Sequence, residues 1–163
     1  MGEFTPVDVI TIAFSVIAAV FSLITYRKSI VHDRQQATLD AYNQLQEQAL
    51  DHLNLYRPSN IKEIVKDRRS EEYKKLSAYV ARIEHFCVGV NQKIYDRKTV
   101  YELAHGYFDS GLKVRIEPVI DGKNRFGEDY YANIHKVYAW MEKETEKRKK
   151  RTSGGNRYGQ DND

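Results

Sequence analysis

From Val9 to Thr25 the chain reads VITIAFSVIAAVFSLIT, seventeen residues with no charge, glycine or proline. A helix from Pro6 to Tyr26, rising about 1.5 Å per residue, spans about 30 Å, the thickness of a bilayer's hydrocarbon core. Val9, Ile10, Ile12, Phe14, Val16, Ile17, Val20, Phe21, Leu23 and Ile24 each favour insertion by about 0.3–0.6 kcal/mol near the helix centre. The serines and threonines among them subtract little. Thr5 before Pro6 suits an N-cap followed by proline at the first helical position. The run is apolar all round, whereas a helix packed on a soluble core keeps a polar side.

The flanks narrow the reading. A cleavable signal peptide opens on basic residues, but MGEFTPVD carries Glu3 and Asp8 and no Lys or Arg. A myristoylation signal needs Ser or Thr where Pro6 stands. The segment therefore reads as a transmembrane helix over 7–26 after a short extracytoplasmic stretch, 1–6. Tyr26, Arg27 and Lys28 are its interfacial residues. Arg27, Lys28 and Arg34 after it, against acidic residues before it, predict the N-terminus outside and the rest on the cytoplasmic side of the inner (plasma) membrane. Ala18 and Ser22, small residues four apart, offer a close-packing face to a second such helix, although small residues are also common lipid-facing filler.

The remainder is polar. Mean hydropathy is −0.66 despite the apolar run, and 163 residues leave room for one domain with its own core. A net charge of +3 is too mild for a dedicated nucleic-acid binder, so nucleic acid is not an expected partner. Cys87 is the single cysteine, which excludes an internal disulfide or a Cys-based zinc site and fits a reducing compartment.

Periodicity predicts helices throughout. Thr38, Tyr42, Leu45, Ala49, Leu53 and Tyr56 recur at gaps of three and four, so helix continues past the membrane until Pro58 closes it. Asn60 and Glu63 resemble a capping box opening a short second helix. A third starts at Ser70, helped by Glu71 and Glu72, and carries Tyr73, Leu76, Val80, Ile83, Cys87, Val90 and Ile94 on one face. Thr99 with Glu102 suggests another capping box, leading through Ala104, Phe108, Leu112 and Ile116 until Pro118 kinks or ends the helix. Asp121-Gly122 and KNRFG read as a turn. A last helix, Glu128 to Lys143, turns Tyr131, Ile134, Tyr138 and Met141 inward. The fold class is all-α: the transmembrane helix, then an antiparallel bundle of four to five helices over 27–146. From 147 to 163 the composition predicts a disordered basic tail. In it Lys147, Arg148, Lys149, Lys150 and Arg151 form a run suited to anionic surfaces.

Chemistry-bearing patterns are scarce. His32, His52, His85, His105 and His135 do not fall at metal-ligand spacing with each other, with Cys87 or with a carboxylate. Asp129 and His135, six apart, do not share a helical face. No phosphate-cradling glycine loop or nucleophile motif occurs, so no catalytic residue and no cofactor are expected. Cys87 on an apolar stripe reads as a buried structural thiol. Glu84, beside that stripe, needs a partner, and an ion pair with Arg115 or Arg125 is the predicted one. The tyrosines sit at core spacing rather than as a base-stacking platform.

The order of features is also informative. YVARIEHFCVGVNQKIYD (Tyr79 to Asp96), RIEPVI (Arg115 to Ile120), Asn124-Arg125 and a tyrosine-rich helix ending YAWM follow an N-terminal membrane helix. The chain resembles a bacterial domain-of-unknown-function family, number 4760, over about residues 7–142. In that family a helix bearing a Glu, an aromatic and a Gly precedes an Ile-Tyr/Asp turn, matched by Glu84, Phe86, Gly89 and Ile94 to Asp96. A Pro-hydrophobic-Ile step and an Arg follow, matched by Pro118 to Ile120 and Arg125. The resemblance implies membrane attachment and a helical fold; it brings no activity. The expected function is a membrane-anchored interaction or self-association module with lipid, a second copy or a membrane protein as partner. The alternative is a membrane-surface or nucleic-acid sensor acting through the basic tail.

Overall fold

The computed structural model describes residues 6–123 and 129–155, and every regular element among them is helical. Helix α1, Pro6–Leu45, is 40 residues long, about 60 Å at the helical rise. It passes without a break through a π-helical turn, Gln46–Leu50, into α2, Asp51–Asn54. The apolar segment and the expected first helix of the bundle are thus one rod. Every described side chain from Val7 to Arg34 is exposed. Burial begins at Thr38 and continues through Tyr42, Leu45, Ala49, Leu50 and Leu53, so the predicted stripe is spent on the protein's own core.

Helix α3, Pro58–Ile64, starts at Arg57 with Pro58 in its first turn. The expected Asn60–Glu63 capping box is therefore not the start, because proline already supplies the helical φ there. In α4, Glu71–Asn91, Ser70 accepts a hydrogen bond from the Tyr73 N–H, as its spacing predicts. The α4 face from Tyr73 to Val90 is buried. Ile94 lies beyond the helix end and is exposed.

Helix α5, Arg97–Tyr107, is capped by Asp96, whose Oδ1 accepts from the Thr99 N–H at 2.9 Å. Thr99 is thus the capped residue, not the cap, and Glu102 is free to pair elsewhere. A second π-helical turn, Phe108–Leu112, joins α5 to α6, Lys113–Lys123, which runs through Pro118. Val114, whose carbonyl loses its donor to that proline, lies on the exposed side, where water can satisfy it. Ala104, Phe108, Leu112 and Ile116 are all buried. Asp121, Gly122 and Lys123, expected to open a turn, instead form the end of α6, and the rest of that expected turn, Asn124 to Gly127, falls outside the described residues.

The last helix, α7, Ala132–Gly155, begins later than expected and runs through the whole basic stretch. The tail predicted to be disordered from Lys147 is helical as far as Gly155. One core joins α1 through α7 and includes Leu45, Leu53, Ile61, Ile83, Val100, Ile116 and Ile134.

Candidate functional site

Thr38 is a fully buried polar residue. Its hydroxyl donates to the Arg34 carbonyl at 2.7 Å and accepts from the Asp96 N–H at 2.8 Å. Asp96 in turn caps α5, so the rod that continues the apolar segment is tied to the α4–α5 corner. That corner is a Schellman turn: the Lys93 N–H donates to the Val90 carbonyl and the Ile94 N–H to the Gly89 carbonyl. Lys93 takes the left-handed position with φ of 60°. Gly89 is required beneath it, because a Cβ there would drive into the Tyr95 ring.

Next to this corner an open groove of about 420 Å³ separates the rod from α4. Ala41, Gln44, Leu45 and Gln48 form one wall; Ala81, Arg82, His85 and Phe86 form the other, with Tyr95 closing the end. Tyr95 stacks on Phe86 with ring centroids 5.2 Å apart, and Arg82 Nη1 donates to the Gln48 carbonyl at 2.6 Å. The floor is thus apolar and braced, while Gln44, Gln48 and the exposed His85 give the rim hydrogen-bonding groups. No sequence pattern singled out this groove. Each wall has helical spacing, but nothing in either says that they face each other.

Glu84 bonds amides of α7 rather than Arg115, one of the two ion-pair partners predicted for it. Its Oε1 accepts from the Asn133 N–H at 3.1 Å and from Asn133 Nδ2 at 2.7 Å; its Oε2 accepts from the Ile134 N–H at 2.9 Å. These amides open the first turn of α7, so a carboxylate on α4 caps α7 from outside and meets its positive dipole end. Asn91 Nδ2 completes the set by donating to Asn133 Oδ1 at 3.0 Å. Arg115 Nη1 instead donates to the Gly111 carbonyl in the second π turn at 2.7 Å. Arg125 lies outside the described residues.

Cys87 is buried, and burial, with the charge of Glu84, pushes its thiol pKa well up, which favours the neutral thiol. His135 Nε2 lies 3.9 Å from Asp129 Oδ1, a proximity that the six-residue spacing argued against. Asp129 precedes α7, so helical spacing does not govern the pair. Among the described residues no three His, Cys, Asp or Glu gather as metal ligands.

Tyr26, Arg27 and Lys28 are exposed on α1 at the end of the apolar run. The basic stretch divides. Arg148 bonds Glu102 at 2.7 Å and Glu144 at 3.3 Å, with its guanidinium 4.0 Å over the Tyr101 ring. The hydrogen bond from Arg148 holds the Glu102 carboxyl below the usual carboxylate range. Lys147 lies 3.9 Å from Glu144. Lys150 and Arg151 are exposed.

The chain matches the family described as Domain of unknown function (DUF4760) over residues 9–141. It belongs to that family. The match takes in the apolar helix, the groove and Glu84, and stops before Glu144 and Arg148. Searches of curated proteins and of solved structures returned no match. The helix Ile10–Asn54 is long and apolar enough to cross a membrane; its most apolar stretch has a mean hydropathy of 1.8 and none of it is buried.

Proposed function

We propose that this DUF4760 protein is a single-pass membrane protein whose helical domain is an interaction module at the cytoplasmic face. The observation that carries the reading is the rod itself. It is bare and apolar through the length of a bilayer and then enters the core without a hinge. Exposing ten large apolar side chains to water is unfavourable by an amount that lipid removes. Arg27, Lys28 and Arg34 favour the cytoplasmic side for the domain. The stripe from Thr38 to Tyr56 is committed to the core, so the surface offered to a partner is the groove between α1 and α4. Its braced apolar floor and polar rim suit an apolar side chain from a membrane-protein partner or a second copy.

The test is a photo-crosslinking residue at Gln44 or His85 in the full chain, in native membranes, with Lys62 on α3 as the control position. Adducts of one defined mass from the groove positions, absent from the control, are expected. Monomer alone at both groove positions overturns the interaction reading. Thiol labelling of a cysteine placed at Lys62, from outside sealed cells, overturns the orientation.

A further inference from the structure

Where α7 crosses α5, a second cleft of about 520 Å³ opens, lined by Arg97, Lys98, Tyr101, Trp140, Arg148 and Arg151, with Glu102 and Glu144 at Arg148. We propose that this cleft binds a phosphate monoester dianion.

The charges support the assignment. Four cations and two carboxylates leave the lining at +2, which matches a phosphate whose second ionisation lies near pH 6. Both carboxylates bond Arg148, whose guanidinium lies over the Tyr101 ring, and Glu144 also faces Lys147. Among the described residues Arg97, Lys98 and Arg151 have no carboxylate ion pair. Arg97 is also held in place: its Nε donates to the Val90 carbonyl at 3.4 Å and its guanidinium lies 5.4 Å from the Trp140 ring. Fixed guanidinium groups beside a lysine form a donor set suited to phosphate oxygens. Tyr101 and Trp140, edge to face at 6.3 Å, supply a rigid wall that lowers the local dielectric. The site needs α7 to stay helical through Arg151, as it does. It shares no lining residue with the α1–α4 groove and does not rest on the reading of that groove.

The same chemistry occurs on soluble anions and on phosphatidic acid headgroups, so the experiment has an arm for each. Trp140 is the chain's single tryptophan, and its fluorescence reports on the cleft directly. The full chain in nanodiscs of neutral lipid is titrated with glycerol 3-phosphate, a soluble phosphate monoester; separate nanodiscs carry phosphatidic acid or, as a diester control, phosphatidylglycerol. A saturable emission change in the first arm assigns a soluble ligand. A change with phosphatidic acid and not with phosphatidylglycerol assigns a headgroup. In either case the double variant Lys98→Gln/Arg151→Gln weakens the response at least tenfold, and Lys62→Gln/Lys66→Gln leaves it unaltered. The proposal is overturned if neither arm responds, if sodium chloride at equal ionic strength reproduces the change, or if the double variant responds like the parent.

Discussion

Glu84 replaces the local serine or aspartate that usually begins a helix, and so couples two helices through one carboxylate. Each charge-assisted bond to an α7 amide contributes about 1.5–3 kcal/mol. Glu84→Gln sets an NH₂ group against the Ile134 N–H and removes the charge from the dipole end. Unfolding of the variant in detergent, followed by Trp140 fluorescence, is expected to show a loss of about 1–3 kcal/mol. Unchanged stability would count against capping from α4. The α4–α5 corner supplies the opposite case. Lys93 holds a left-handed conformation that glycine adopts freely, so Lys93→Gly is expected to raise stability by about 0.5–1 kcal/mol. Gly89→Ala, four residues earlier, is expected to lower it, because the new methyl displaces Tyr95 from Phe86. A glycine scan of this corner by thermal unfolding separates the two effects.

At the scale of elements, the link between rod and bundle is the Thr38 hydroxyl. Thr38→Val keeps the shape and leaves the Asp96 N–H without its acceptor, so a cost of about 1–3 kcal/mol is expected. Hydrogen exchange should show the loss concentrated at the start of α5; uniform loosening would contradict the link. Much of this architecture was legible in the sequence. The stripes of the rod and of α4 and the Ser70 cap follow directly from spacing and side-chain chemistry. Helix starts were less legible where two caps compete: Pro58 overrides Asn60, and Asp96 overrides Thr99 because its carboxylate reaches the Thr99 amide. The strict gaps of four from Ala104 to Ile116 drift round an α-helix. The π turn at Phe108–Leu112, with its wider i→i+5 closure, brings that face back to the core. From Lys147 to Gly155 the composition resembles disorder, while the helix there is held by Arg148 reaching Glu102, 46 residues away. The groove and the cleft were invisible for a related reason: each is a pairing of two helix faces, and periodicity defines faces one at a time.

For the whole molecule, the unbroken rod joins the apolar segment to the wall of the groove. Removing residues 1–26 is expected to leave the bundle folded, since burial begins at Thr38, while abolishing sedimentation with membranes. Far-UV and near-UV circular dichroism, with fractionation, check both halves. A purely passive tether would tolerate any change of length in the exposed stretch from Arg27 to Arg34. A rigid rod would not, because each added residue turns the domain by about 100° about the helix axis. Inserting two alanines after Ile30 moves the groove to nearly the opposite side of the rod relative to the apolar segment. Inserting seven returns it to within about 20° of its starting direction, about 10 Å further out. If the groove meets a partner held in the same membrane, crosslinking from Gln44 is lost with two added residues and regained in part with seven. Equal crosslinking in all three forms would mean that the partner approaches from solution, and the continuity of the rod would then serve stability alone.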